Sequence, residues 1–397
     1  MDPFTPSDLR HHISQLRDPR IERNKRHSLL DIVMIVVAAM ICREEGWENI
    51  AFWAEIRKDW LSSFLTLPNG IPSHDTLRRV FERINPTALQ QCLIDWINAL
   101  RTSLSGQVVA IDGKTVRGAG TTQTGTPTLH SVSAWATDAR LVLAQVKTEE
   151  KSNEIIAIPW LLDLIDIAGC IVTIDAMGCQ TKIAEAIVKK KAGYVLALKG
   201  NQPNLQENVA GFFETELAHD FRDVPHQYHR TVDKGHGRLE VREYWLSNHI
   251  SWLSERSQWP GLASLGMVKR TRTVKDKTST EVQYYLTTLP LDVVAFAHAV
   301  RSHWAIENSL HWVLDVTFRE DASRISKDHA LENLAVLRRT VLNLFRNNDL
   351  FPEISMPKKR MRAALDQDYF SFVLLGTTYT PPPKPPRPPR GTRAKPI

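Results

Sequence analysis

From residue 107 onward the chain breaks into apolar runs of strand length: Val108 to Ile111, His130 to Trp135 and Leu141 to Val146, joined by turn-rich segments. Their β-branched and aromatic residues predict three strands in a meander. A helical segment from about Asn153 to Ile165 follows, then a buried strand Cys170 to Ile174, a helix from about Thr181 to Lys191 and a strand Tyr194 to Leu198. The order βββαβαβ demands an α/β layered fold, because each amphipathic helix must cover a sheet face.

That order is the order of a ribonuclease-H-like core with one helix still to be found. Residues 204–290 do not supply it, since Gln227 to Thr231, Leu239 to Trp245, Gly266 to Arg270 and Val282 to Leu286 read as strands and a helical pattern resumes only near Val293. The expected fold is α/β: a ribonuclease-H-like core from residues 101–203 and 291–350, divided by a β-rich insertion at 204–290 and followed by a C-terminal segment at 351–380. Residues 381–397 hold 8 prolines and 5 lysines or arginines with no acid. Such a segment cannot build a core and predicts a disordered basic tail.

Residues 1–100 predict an all-helical domain. Ser28 and Asp31 stand at capping positions before a run that is apolar on nearly every face, as in a helix at the centre of a bundle. Ser73 caps a second helix in which Leu77, Val80, Phe81 and Ile84 share one face, leaving Arg78, Arg79 and Arg83 on the other. That basic face is either a DNA-recognition surface or an ordinary solvated one.

Composition adds little. Lys and Arg exceed Asp and Glu by 50 to 44, and a pI near 9.1 suits a polyanionic partner without requiring one. The longest apolar run, Ile32 to Cys42, is shorter than the roughly 20 residues that span a bilayer. Cys42, Cys92, Cys170 and Cys179 form no C-x-x-C pair and read as core residues of a reducing compartment. The N-terminus lacks a secretion signal. The expectation is a cytoplasmic protein with no membrane partner.

The candidate chemistry lies in carboxylates. Asp112 follows the apolar run Gln107 to Ile111, and Asp175 follows Ile171 to Ile174. An ionised carboxylate beside a buried strand is costly unless it is paired or binds a cation, and two at equivalent strand ends would converge. Each alone also fits the first residue of a turn, as Asp-Gly often does. In His303 to Asp315, helical spacing makes Ile306, Leu310 and Val313 a buried stripe and points Glu307 inward beside the core, within reach of His303 and His311.

Five segments in this order, Ile111-Asp112-Gly113-Lys114, Thr173-Ile174-Asp175-Ala176, Lys199-Gly200-Asn201-Gln202, Lys234-Gly235-His236-Gly237-Arg238 and His303-Trp304-x-Ile306-Glu307-Asn308, carry a resemblance over nearly the whole chain. The chain resembles the DDE insertion-sequence transposases, in the group that includes the H-repeat-associated proteins of Rhs elements. The resemblance implies that Asp112, Asp175 and Glu307 are the catalytic and metal-binding triad of a ribonuclease-H-like catalytic core. It implies cleavage of element ends and joining to target DNA by two-metal-ion chemistry with Mg²⁺, or Mn²⁺ as substitute. The expected partner is double-stranded DNA, both terminal inverted repeats and target, bound by a homodimer.

Lys114, Arg117, Lys199 and Asn201, next to carboxylate-bearing or neighbouring strands, are candidate DNA contacts or solvated loop residues. His236 and Arg238 fit a DNA-contacting hairpin; Arg78 and Arg79 join them from the N-terminal unit. Related transposases often carry tyrosine, arginine and lysine seven before, four before and seven after the glutamate, where this chain has Val300, His303 and Leu314. Arg301, His303 and Asp315 are the candidates to cover those roles. The competing readings are an inactive transposase relic or DNA-binding regulator, and a nuclease that hydrolyses without joining.

Overall fold

A computed structural model describes residues 4–100, 104–116, 129–148, 154–235, 237–275, 277–347 and 349–381. Arg117, His236 and all but the first residue of the expected tail lie outside the described residues. Among the described residues the fold is mixed α/β around one nine-stranded sheet.

The chain begins with α1 (Leu9–Ser14), α2 (Leu29–Ile41), α3 (Trp47–Ile56), α4 (Lys58–Leu61), α5 (His74–Phe81) and α6 (Pro86–Leu100). Ser28 caps α2 by accepting from the Asp31 amide at 2.9 Å, and every residue from Ile32 to Ile41 is fully buried. A helix with no polar face needs neighbours on all sides, and that is the environment α2 has. Ser73 caps α5 in the same way.

Strands β1 (Val108–Val116), β2 (Leu129–Ala136) and β3 (Leu141–Thr148) form the antiparallel meander. Helix α7 (Glu154–Asp163) leads to β4 (Ile171–Ile174), and α8 (Thr181–Lys189) leads to β5 (Gly193–Leu198), both strands parallel to β1. Then come α9 (Pro203–Ala218), β6 (His226–Gly235), β7 (Arg238–Ser247), β8 (Ser264–Val274), β9 (Lys277–Thr287), α10 (Val293–His303), α11 (Trp312–Val316), α12 (Ala330–Asn347), α13 (Met356–Leu365) and α14 (Gln367–Leu375). The strand order is β3-β2-β1-β4-β5-β9-β8-β7-β6.

Two expectations need correction. Residues 204–290 are not strands throughout, for α9 opens the segment with 16 residues. Pro203 at its first turn and the buried stripe Leu205, Val209 and Phe213 were the missed signals. Asp112 does not follow its strand but sits within it, since β1 runs on through Gly113 to Val116 against β2. The segment 204–290 also extends the core sheet directly, with Leu286 of β9 opposite Leu196 of β5.

One apolar cluster runs from Leu9 through the sheet to Leu374. Helix α12 joins its parts: Asn333 Nδ2 donates to the Phe81 and Ile84 carbonyls, while Asn343 exchanges two hydrogen bonds with the backbone of Val142. The second pairing covers part of edge strand β3 with a side-chain amide in place of another strand. Residues 351–380 return to the N-terminal helices, where Phe370 stacks on Trp60 at 4.4 Å and Arg360 donates to the Met40 carbonyl at 2.6 Å. Among the described residues no helix is long and apolar enough to cross a membrane.

Candidate functional site

Parallel pairing sets Ala110 opposite Thr173 and Ile111 opposite Ile174, so Asp112 and Asp175 come next on adjacent strands. Asp175 Oδ1 accepts from the amides of Met177 at 3.1 Å and Gly178 at 3.4 Å, closing a one-turn 3₁₀ helix. Asn201 Nδ2 donates to the Ala176 carbonyl at 2.5 Å and Gln202 Nε2 to that of Cys179 at 3.2 Å. The Lys-Gly-Asn-Gln segment thus fastens the loop that presents Asp175.

Behind Asp112 the sheet is equally determined. A Cβ at Gly113 would fall 2.3 Å from Glu154 Oε1, so the glycine makes room for a buried carboxylate. Glu154 is 2.6 Å from His130 Nε2, and His130 Nδ1 is 2.6 Å from Thr115 Oγ1. Asp112-Gly113 is therefore strand backbone shaped by Glu154, not a turn.

Glu307 opens a five-residue π-helical segment, Glu307–His311, between α10 and α11. Asn308 Nδ2 donates to the Trp304 carbonyl at 3.2 Å across this widened turn. Single-turn π segments are frequent at functional sites. The widening corrects one expectation: the Glu307 side chain is 54% exposed and opens on a cleft instead of lying inward beside the core.

His311, buried, puts Nδ1 3.5 Å from Glu307 Oε2 and 3.6 Å from Asp112 Oδ2. Burial, with the negative charges of Glu307 and Asp175 adding to it, pushes the Asp112 carboxyl up to about 8. Glu307 moves the other way, held below its ordinary value chiefly by His311. Burial and the neighbouring negative charges thus favour the protonated form of Asp112, while His311 favours the ionised form of Glu307. Such mutual repulsion among oxygen donors is what a hard divalent cation relieves, so the residues fit Mg²⁺ or Mn²⁺.

The three carboxylates line one cleft of about 670 Å³, whose far wall comes from β7, β8 and β9. Lys199, Arg242, Arg270 and Arg301 also line it, with the half-exposed Trp304 beside them. Arg242 and Arg270 face each other across β7 and β8, and both pair with the buried Glu240. The Arg270 guanidinium lies 5.9 Å from the Trp304 ring centroid. Arg242 and Arg270 are the lining residues that sequence reading missed, and the pair was recoverable only from the β7–β8 register.

The predicted DNA contacts separate into groups. Lys199 is exposed on the cleft, and Arg301 and His303 stand on its wall. His303 is within 3.2 Å of Thr173 Oγ1, and burial lowers its pKa. Arg238 is exposed at the start of β7, 3.5 Å from Glu240. Arg79 and Arg83 are exposed, whereas Arg78 bridges Asp75 at 2.9 Å and Glu82 at 2.8 Å. Lys114 corrects its expected role: it is buried, with Nζ 2.6 Å from Asp315, 3.2 Å from Asp321 and 3.6 Å from Glu320. That lysine ties β1 to α11, and the same contact occupies Asp315. Asn201 is spent on the Asp175 loop.

Residues 103–344 match the family described as "Transposase DDE domain", and residues 10–97 match "DDE_Tnp_1-associated". The "H repeat-associated putative transposase YhhI" of Escherichia coli (strain K12) is 36% identical over 374 residues, covering 93% of this chain and 98% of the relative. The "Putative transposase YncI" of Escherichia coli O157:H7 is 38% identical over 368 residues, covering 91% and 93%. A solved piggyBac transposase synaptic complex with hairpin DNA covers 92% of this chain and is covered to 77%, at a TM-score of 0.45 and 12% identity, too slight a likeness to build on. With a family match over more than half its length and relatives aligned almost end to end, the chain belongs to the DDE transposases, in the group of the H-repeat-associated proteins.

Proposed function

We propose that this transposase cuts DNA at the element's ends and joins the freed ends to target DNA, using Asp112, Asp175 and Glu307. The observation that carries the reading is the convergence of three carboxylates, from β1, the end of β4 and the π segment, on one cleft with basic walls. Asp112 and Glu307, with Asp175 beside them, would hold Mg²⁺ or Mn²⁺. Two such ions supply activation of the attacking oxygen and stabilisation of the leaving one in phosphodiester displacement. The protein's own part is to fix those carboxylates on elements that cannot shift singly, while Lys199 and Arg301 attract the backbone phosphates.

In this reading strands β1 to β5 with their helices are the ribonuclease-H-like catalytic core, residues 101–203 and 291–350. Residues 1–100 are an all-helical DNA-binding domain, 204–290 an insertion that brings Arg238 and the cleft arginines to DNA, 351–380 a C-terminal segment and 381–397 a basic tail. Double-stranded DNA bound by a homodimer is the proposed working state. Four free cysteines suit the reducing cytoplasm.

The test incubates purified protein with Mg²⁺ and DNA carrying the element's terminal repeats. Nicked ends together with products joined to target DNA are expected. Binding without nicking would mark a relic or regulator, and nicking without joining a nuclease.

A further inference from the structure

We infer that His311 is a nitrogen ligand of the ion that Asp112 and Glu307 hold, so that this position takes Mn²⁺ ahead of Mg²⁺. The inference rests on the proposal that these carboxylates bind a divalent ion, and adds a donor of a different chemical kind.

Three observations carry it. One ligand atom each from Asp112, Glu307 and His311 lie within 4.8 Å of one another. Nδ1 of His311 stands 3.5 and 3.6 Å from the two carboxylates. Two ligands of one small ion, each bonded at about 2.1 Å, stand roughly 3–4 Å apart, while a good hydrogen bond to oxygen is shorter than about 3.2 Å. The ring's spacing thus suits shared ligation better than direct bonding.

The ring is also nineteen-twentieths buried, and among the described residues its Nε2 has no hydrogen-bond partner, which leaves Nδ1 as the polar atom the ring can use. A buried imidazole is costly unless its polar atoms are used, and an apolar side chain of similar size would fill the space more cheaply. What the position gains from a histidine is the nitrogen aimed at Asp112 and Glu307. Asp175 is outside this trio.

A nitrogen donor changes the choice of ion. Mg²⁺ takes oxygen ligands and gains little from imidazole, whereas transition ions accept mixed nitrogen and oxygen sets. Mn²⁺ is the transition ion nearest to Mg²⁺ in its liking for carboxylates, so a site of two carboxylates and one imidazole favours it.

The experiment loads the full chain with Mn²⁺ alone and reads electron-spin-echo modulation from a directly bound nitrogen, alongside Mn²⁺ and Mg²⁺ affinities by titration. Wild type is expected to show the nitrogen coupling. His311→Asn, whose side chain can set an oxygen near the Nδ1 position, should lose the coupling while keeping its melting temperature. His311→Ala should weaken Mn²⁺ binding by roughly 10–100-fold, the range that loss of even an outer-shell partner produces, and Mg²⁺ binding by less than about threefold. Asp112→Asn should weaken both ions.

Mn²⁺ bound without nitrogen coupling, or coupling that survives in both His311 variants, overturns the ligand assignment and leaves the carboxylate reading standing. Mn²⁺ binding that is absent in wild type, or indifferent to Asp112→Asn, overturns the carboxylate reading and this inference with it.

Discussion

Strands β1 to β5 and strands β6 to β9 share one sheet but are held in it by different means. In β2 every residue is buried, and Ile111 and Ile174 before the aspartates are at most 3% exposed. The strands β6 to β9 are 10 or 11 residues long, and β6 is exposed along almost its whole length. The first set cannot move without opening the core; much of the second is held by its hydrogen-bond ladder and cross-strand pairs. Asp112 sits on the first set and Asp175 at the end of one of its strands, Glu307 comes from the π segment beside them, and the cleft arginines Arg242 and Arg270 sit on the second.

If that division of labour is right, the largest effects come from the packed half. Asp112→Asn, Asp175→Asn or Glu307→Gln should each lower strand cleavage by about a thousandfold or more, as removal of charge from a preorganised site does. DNA binding and circular dichroism should stay close to wild type. A variant that keeps full cleavage would remove its residue from the proposed triad.

One substitution made in both halves sharpens the contrast. Gly113→Ala drives a methyl group into Glu154, and overpacking of this kind costs about 1–3 kcal/mol, more where a buried ion pair is displaced. Gly235→Ala, with nothing among the described residues within 4 Å of the added carbon, should change stability by less than about 0.5 kcal/mol. Chemical denaturation of the two variants measures both. Equal losses would mean the far half is as tightly packed as the near one.

The raised Asp112 carboxyl gives a third test. Its folded value, about 8, lies above the ordinary 3.8, so the stability this group contributes is fully present below about pH 4 and is lost as pH rises toward 8. A cation must displace the carboxyl's proton. Mg²⁺ affinity should therefore climb up to about tenfold per pH unit over that window, and titrations in buffers of different ionisation heat should report up to about one proton released. Asp112→Asn should flatten this pH dependence and raise the melting temperature above pH 8. Proton release unchanged in that variant would assign the proton elsewhere.

How much was legible follows the same divide. The apolar runs of β2 to β5 marked those strands almost to the residue, because burial on both faces writes itself as continuous hydrophobicity. The second half of β1 was hidden, since Asp112-Gly113 looks like a turn until Glu154, far along the chain, is seen to occupy the space a side chain would need. Helix α9 was hidden by its polar majority, and the π segment by a geometry that 3.6-residue periodicity does not encode. The convergence of Asp112 with Asp175 was legible from the apolar runs that precede them, although only Asp175 ends its strand. The pairing of Lys114 with Asp315 was not, because it depends on where α11 lands after the insertion.

The smallest effects should come from exposed basic side chains, where sequence alone could not separate phosphate contacts from solvated charges. Lys199 and Arg301 on the cleft are expected to touch DNA, so replacing both with alanine should reduce the slope of log affinity against log salt by about 1.8, at roughly 0.9 per contact. On α5, Arg79 and Arg83 are free to do the same and Arg78 is not, since Asp75 and Glu82 already hold it. Arg79→Ala with Arg83→Ala should then flatten the slope if this face meets the element's ends, whereas Arg78→Ala should leave it unchanged. Binding isotherms at several salt concentrations, on terminal-repeat and unrelated DNA, decide it. A slope that responds to Arg78 alone would mean the ion pairs open on DNA binding; a slope indifferent to all three would move end recognition away from α5 and leave the cleft carboxylates untouched.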